Sequence, residues 1–135
     1  MGCFDFSDIV LDHFMNPRNI GGMDDANGFG AIGEPSCGDA LMIYIQVNDN
    51  VITDISFLVH GCVAAIATSS MTTVLAKGKT LDEAYQITEE NITDAMGGLP
   101  DHKLHCSLLG PKALKKAIDN YRQNEKHIGW GCNSV

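Results

Sequence analysis

The chain of 135 residues is 44% hydrophobic and 19% charged, which is typical of one globular domain and excludes a disordered chain. Nine Lys and Arg against seventeen Asp and Glu give a net charge of −8, so nucleic acid is not expected as a partner. The sequence contains neither an apolar run of bilayer length nor the basic start of a secretory signal. We therefore expect no membrane partner and a cytoplasmic location.

The first quarter of the chain predicts one helix followed by a loop. Apolar residues at helical spacing predict the helix over residues 6–13. Asp5 or Ser7 is the expected N-cap, and Asn16-Pro17 predicts the end, because the residue before proline disfavours a helix. The glycine-rich stretch 21–33 predicts a loop with at most a short strand near residues 29–32.

The clearest strand signal lies in the next part of the chain. Strand-favouring residues alternate with others on both sides of the turn Asn48-Asp49-Asn50, at Leu41, Ile43, Ile45, Val47, Val51, Thr53, Ile55, Phe57 and Val59. Two such runs joined by an Asn/Asp turn predict an antiparallel hairpin.

Helical signals follow the hairpin. A stripe of apolar and small residues predicts a long helix over residues 63–75 that ends at Lys77-Gly78. A capping-box pattern from Thr80 to Glu83 opens a short helix, and another is expected near residues 92–96. Pro111 suits the first turn of a last helix, whose apolar face is Leu114, Ala117, Ile118 and Tyr121.

These elements predict an α+β fold. We expect a small antiparallel sheet of about three strands, with helices packed on one face and the candidate ligand loops clustered at one end. Residues 1–135 are interpreted as a single domain, with flexible ends at 1–5 and 127–135.

Five cysteines are separated by 34, 25, 44 and 26 positions. Their odd number and the lack of an export signal favour reduced thiols over a disulfide framework. No CxxC motif is present, which excludes the usual zinc-finger spacings. Cys3 and Cys132 lie near the chain ends and are interpreted as incidental.

The other three cysteines lie at boundaries between predicted elements. Cys37 precedes the hairpin and Cys62 follows it, so the open end of the hairpin should bring them together. Cys62 also lies where the long helix begins, and helix N-termini stabilise thiolates. Cys106 precedes the last helix. From the residues alone, we predict a three-cysteine metal or sulfur site.

Two neighbouring residues are candidate additional ligands. Gly38 allows the backbone to turn so that Asp39 faces the same site, where a carboxylate is a hard, exchangeable ligand. His105 lies beside Cys106 and can bind a metal or transfer a proton. A solvated turn residue at Asp39 and an ordinary structural role for His105 are the alternatives.

Several stretches together resemble the IscU/NifU-type iron–sulfur cluster assembly scaffold family. The matching segments are Val10-Leu11-Asp12-His13-Phe14-Met15-Asn16-Pro17-Arg18-Asn19, Cys37-Gly38-Asp39, Gly61-Cys62, Ala65-Ile66-Ala67-Thr68-Ser69-Ser70 and Lys103-Leu104-His105-Cys106-Ser107. The resemblance implies a non-enzymatic scaffold for [2Fe–2S] cluster assembly.

The resemblance also implies ligands and partners. The residues that match cluster and metal ligands are Cys37, Asp39, Cys62, His105 and Cys106. Sulfur is expected as a persulfide from a pyridoxal-phosphate cysteine desulfurase, accepted at Cys106, and the cluster passes to acceptor proteins. Asp39 is expected to favour cluster release. Fe²⁺, Zn²⁺ in the resting form and a homodimer holding the cluster are further expectations.

The chain departs from the family at one motif, and two other functions fit the same residues. The family often has Leu-Pro-Pro-Val-Lys, a motif that binds an Hsp70-type chaperone, where this chain has Leu99-Pro100-Asp101-His102-Lys103. Asp101 and His102 therefore argue against binding of such a chaperone. A zinc-binding structural or regulatory domain with the same ligands is one alternative. A thiol enzyme with Cys106 as nucleophile and His105 as base is another.

Overall fold

The computed structural model describes the backbone of residues 6–34 and 38–129, and their side chains except at 34, 101–103, 105 and 124–129. In chain order the elements are α1 (Asp8–Met15), β1 (Gly28–Glu34), β2 (Asp39–Asn48), β3 (Val51–His60), α2 (Val63–Ala76), α3 (Leu81–Tyr85), α4 (Glu89–Ala95), a 3₁₀ helix (Asp101–Leu108) and α5 (Leu109–Gly129). The strands form one antiparallel sheet in the order β1-β2-β3.

The sheet has one buried and one exposed face. Leu41, Ile43 and Ile45 of β2 are buried against the helices, whereas Met42 and Leu58 on the other face are 37% and 36% exposed. The predicted α+β class, with helices on one face of a small antiparallel sheet, is therefore confirmed.

The predicted hairpin is present, with one change of phase. Asp49 and Asn50 both have positive φ, at 53° and 66°, as the favoured two-residue hairpin turn requires. A bulge after Gln46 shifts the register, so Ile52 is buried and Thr53 is exposed. The predicted alternation from Val51 through Thr53 to Ile55 is therefore interrupted, because an extra residue in one strand reverses the alternation.

Helix boundaries follow the capping signals. Ser7 accepts a hydrogen bond from the N–H of Val10 at the start of α1, and Thr80 forms the expected capping box with Glu83. β1 is a full strand of seven residues rather than the short one predicted. The last helix continues to Gly129, so residues 127–129 belong to α5, and the expected flexible ends at 1–5 and 130–135 lie outside the described residues.

Helix α2 is buried around most of its circumference. Ten of its fourteen residues are buried, because α1, β3, α5 and the 3₁₀ helix contact it from different sides. The prediction of a single buried stripe is therefore wrong, and Val74 on that stripe is 43% exposed. Hydroxyl groups of the helix bond to carbonyls one turn earlier, as Ser69 does to Ala65 at 2.7 Å.

Helix α5 packs directly on the backbone of β1. A Cβ added at Gly30 would lie 2.3 Å from the carbonyl oxygen of Ala113 and 2.5 Å from the nitrogen of Ala117. Glycine at this position therefore allows a helix–strand approach that a side chain would prevent. None of the helices in the described part of the chain has the length and apolar character needed to cross a bilayer.

We expect Gly30→Ala to lower the free energy of unfolding by about 1–3 kcal/mol, because the added methyl group meets backbone atoms of α5. Gly33→Ala is the matched control in the same strand, since its Cβ would lie 3.9 Å from the carbonyl oxygen of Asp39, and it should change stability by less than about 1 kcal/mol. Urea unfolding measures both. Equal losses would show that α5 does not approach β1 in this way.

A buried histidine joins α1 to α2. His13 is 6% exposed, and its Nδ1 lies 2.8 Å from Ser70 Oγ, which also accepts the backbone N–H of Arg18 at 2.9 Å. Burial lowers the pKa of His13, and the charge of Arg18 lowers it further. The folded protein consequently binds fewer protons here than the unfolded chain at mildly acidic pH.

The free energy of unfolding should therefore fall as the pH is lowered from 7.5 to 5.5. The reason is that His13 takes up a proton more readily in the unfolded chain, where the pKa of a histidine is about 6.5. This one group contributes at most about 1.4 kcal/mol per pH unit. His13→Asn keeps a polar atom near the Nδ1 position but does not titrate. Urea unfolding at both pH values should show a smaller decrease for the variant than for the parent, and identical decreases would contradict this role of His13.

Candidate metal centre

The structure brings three of the predicted site residues together. One ligand atom from each of Asp39, Cys62 and Cys106 lies within 4.8 Å of the other two. The two Sγ atoms are 3.7 Å apart, and Cys106 Sγ lies 3.7 Å from Asp39 Oδ2, to which it donates. Among the described residues, this is the group of Cys, His, Asp and Glu side chains placed to hold a metal ion.

The remaining predicted residues are not tested by the structure. Cys37 lies outside the described residues, as do Cys3 and Cys132. The backbone of His105 belongs to the 3₁₀ helix next to Cys106, but its side chain is outside the described part of the chain.

The register of the hairpin places Asp39 beside the end of β3. Asp39 begins β2 directly after Gly38, whose φ is +74°. The next residue, Ala40, pairs with His60. The open end of the hairpin therefore joins Asp39 to the Gly61-Cys62 connection. The predicted proximity of Cys37 to Cys62 lies outside the described residues.

Gly61 provides the space that the Asp39 carboxylate occupies. A Cβ at Gly61 would lie 2.6 Å from Asp39 Oδ1 and 2.9 Å from the Cβ of Ala65. In the sequence, Gly61 is distinguished only as part of the Gly61-Cys62 segment. Its contact with Asp39 has no local sequence signal, because the two residues are far apart in the chain and meet through strand pairing.

The three candidate ligand residues differ in exposure. Asp39 is 4% exposed, Cys106 is completely buried and Cys62 is half-buried. Cys62 is the N-cap of α2, but its side chain makes no capping hydrogen bond, so its sulfur is not engaged by the helix N-terminus. The site therefore has a buried side at Cys106 and an outer side at Cys62.

The donor set fits a thiophilic metal ion. Two thiolates about 2.3 Å from one tetrahedral ion lie about 3.8 Å apart, close to the observed 3.7 Å between Cys62 Sγ and Cys106 Sγ. Thiolate sulfur favours zinc and iron–sulfur species, and the carboxylate of Asp39 adds one harder ligand. A bound cation also compensates the charge of a buried carboxylate.

This fold and donor set define a small α+β domain with a thiolate–carboxylate site at one end of an antiparallel sheet. The family model described as the NifU-like N-terminal domain matches residues 5–128. The chain belongs to this family, and the family predicted from the sequence motifs is confirmed.

Named relatives agree with the family. The chain is 56% identical over 122 residues to the iron–sulfur cluster assembly scaffold protein IscU 1 of Archaeoglobus fulgidus, covering 90% of this chain and 80% of that protein. It is 44% identical over 125 residues to the scaffold protein IscU of Escherichia coli K12, covering 90% and 97%. The N-terminal part of a nitrogen-fixing NifU-like protein from Brucella abortus shares the fold, with a TM-score of 0.70, 19% identity and coverage of 91% and 99%.

We expect Gly61→Ala to weaken Zn²⁺ binding by about 10–100-fold, the usual effect of disturbing a residue that orients a metal ligand. The added methyl group displaces the Asp39 carboxylate from its present position. Gly22→Ala is the control, because no atom lies within 4 Å of its added Cβ. Competition with a chromophoric chelator measures both dissociation constants. Equal affinities would mean that the placement of Asp39 does not matter for binding.

Proposed function

We propose that this protein is a scaffold on which an iron–sulfur cluster is assembled and from which it is passed on. The observation that carries the proposal is the convergence of Asp39, Cys62 and Cys106, with ligand atoms within 4.8 Å of one another. The naming of relatives as iron–sulfur cluster assembly scaffold proteins supports it. Iron and sulfide are the cargo of such a protein, and we propose that residues 1–135 form a single scaffold domain.

The cluster that we propose is of the [2Fe–2S] type. Two irons bridged by two sulfides need four further ligands from the protein. Cys37, Cys62 and Cys106 supply three thiolates, and Asp39 or His105 supplies the fourth in one protomer. A homodimer that shares the cluster is the alternative arrangement. Zn²⁺ can occupy the same ligands in the resting protein.

Sulfur enters this scheme as a persulfide from a cysteine desulfurase. The Cys106 thiolate attacks the outer sulfur of the donor persulfide, the S–S bond breaks, and the donor thiolate leaves. Two electrons from an external reductant then convert the bound persulfide into sulfide and the Cys106 thiolate. The protein is a carrier in this scheme and does not itself turn over a substrate.

The partners that we propose are therefore a cysteine desulfurase and proteins that accept the cluster, in a cytoplasmic setting. Asp101 and His102 replace residues of the family's chaperone motif, so we do not propose an Hsp70-type partner. Their side chains are not among those that the structure describes.

Anaerobic reconstitution with Fe²⁺ and sulfide tests the proposed function. We expect a coloured protein with visible absorption and stoichiometric acid-labile sulfide, and Cys62→Ala should abolish both by removing a thiolate ligand. A protein that binds Zn²⁺ but stays colourless would instead support a structural zinc domain. Thiol-dependent turnover of a substrate without any metal would favour the thiol enzyme.

We also expect Asp39→Ala to slow the loss of a reconstituted cluster several-fold, because a hard oxygen ligand exchanges more readily than a thiolate. Asp24→Ala removes the same charge at an exposed position and should lose the cluster at the parent rate. The decay of visible absorbance in the presence of a chelator measures these rates. Equal decay in the parent and Asp39→Ala would contradict the release role of Asp39.

A further inference from the structure

A buried hydroxyl group connects the helix that begins after Cys62 to the backbone of Cys106. Thr68 lies in α2 and is completely buried. Its Oγ1 lies 3.2 Å from the carbonyl oxygen of Cys106, and 2.7 Å and 3.3 Å from the carbonyl oxygens of Ala64 and Ala65. The single hydroxyl proton lies closest to the Ala64 carbonyl and is shared, as the longer arm of a three-centre bond, with the carbonyl of the residue that carries the buried thiol.

Several interactions hold the segment around Cys106, including a bond from the backbone N–H of Leu109 to the Cys106 carbonyl oxygen. The segment is a 3₁₀ helix, whose hydrogen bonds have poorer geometry than those of an α-helix. Ser107 donates to the carbonyl oxygen of Leu104 at 2.7 Å and accepts from Thr93 Oγ1 at 3.2 Å. These bonds tether the following residue, and the bond from Leu109 stays within the same segment, whereas the bond from Thr68 links the carbonyl of Cys106 to α2.

We propose that Thr68 is a positioning residue for the thiol pair. By holding the carbonyl of Cys106 against α2, its hydroxyl sets the 3.7 Å separation between Cys62 Sγ and Cys106 Sγ. Because Cys62 is the N-cap of the same helix, both sulfurs are positioned by one rigid element. A ligand pair that is held in this way needs less rearrangement when it binds an ion.

A neighbouring residue provides a matched control. Ser69 is equally buried, and its hydroxyl donates to the carbonyl oxygen of Ala65 at 2.7 Å within the same helix. Ser69→Ala and Thr68→Val each remove one buried hydroxyl from α2 and largely retain the side-chain shape. The two variants differ in that the hydroxyl of Thr68 also contacts Cys106. Both variants should therefore lose stability, whereas only Thr68→Val should change the geometry of the two thiols.

The thiol geometry can be tested without any metal. Phenylarsine oxide condenses with two adjacent thiols to form a cyclic dithioarsenite and water, with no net transfer of electrons. The parent for this test carries Cys3→Ser, Cys37→Ser and Cys132→Ser, so that Cys62 and Cys106 are its two cysteines. Circular dichroism checks that each variant is folded at the temperature of the binding measurement.

We expect Thr68→Val to weaken arsenical binding at least about tenfold relative to this parent. Thr68→Ser retains the hydroxyl and should bind as the parent does, and so should Ser69→Ala. Equal affinities for Thr68→Val and the parent would overturn the proposal, and so would a parent that does not bind the arsenical. If Thr68→Val does not fold, Thr68→Ala replaces it, and equal binding by Thr68→Ala and Thr68→Ser overturns the proposal.

The consequence for metal binding rests on the proposed function. In the chain with all five cysteines, Thr68→Val should weaken Co²⁺ binding at least about tenfold, and Thr68→Ser should bind Co²⁺ as the parent does. The intensity of the thiolate-to-cobalt charge-transfer band measures the binding. An unchanged Co²⁺ affinity would show that the hydroxyl does not position the metal ligands. If the chain with all five cysteines fails iron–sulfur reconstitution while the two-cysteine parent shows the expected arsenical pattern, the proposed function is removed and the role of Thr68 is left intact.

Discussion

The site depends on the register of the β2–β3 hairpin. Pairing of Ala40 with His60 brings Asp39 against Gly61 and starts α2 directly beyond it, with Cys62 at its N-cap. A slip of one residue would transfer every inward side chain to the other face of the sheet. The buried face and the positive-φ turn at the far end of the hairpin therefore determine where the carboxylate and the first described thiol lie.

Helix α2 links the end of the hairpin to most of the other elements of the protein. It is surrounded by α1, β3, α5 and the 3₁₀ helix, which explains why small and hydroxyl-bearing residues fill it. Small side chains allow close packing on several sides at once, and the hydroxyls satisfy their hydrogen bonds on carbonyls within reach. Thr68 is the one whose bond reaches the backbone of Cys106, so the core helix also positions part of the site.

Much of the fold could be predicted because its signals are local. Strand alternation, the turn residues and the Thr80 capping box each determine structure over a few positions, and the proximity of Asp39 and Cys62 follows from them. The bulge that buries Ile52, the 3₁₀ helix and the burial of α2 on several sides could not be predicted, because packing between distant segments decides them. Cys106 was included in the predicted three-cysteine site because it lies at an element boundary, and the family resemblance supports that assignment, although no spacing rule connects it to the hairpin.

The unequal exposure of the two thiols has a kinetic consequence. Cys106 is completely buried, whereas Cys62 is half-buried, so a protein donor approaching from solvent cannot touch Cys106 Sγ in this conformation. A protein donor needs a transient opening to reach that sulfur, and the 3₁₀ helix that carries Cys106 is held by hydrogen bonds of poorer geometry than those of an α-helix. The proposed transfer of sulfur to Cys106 would therefore depend on how often this segment opens as well as on how often a donor arrives.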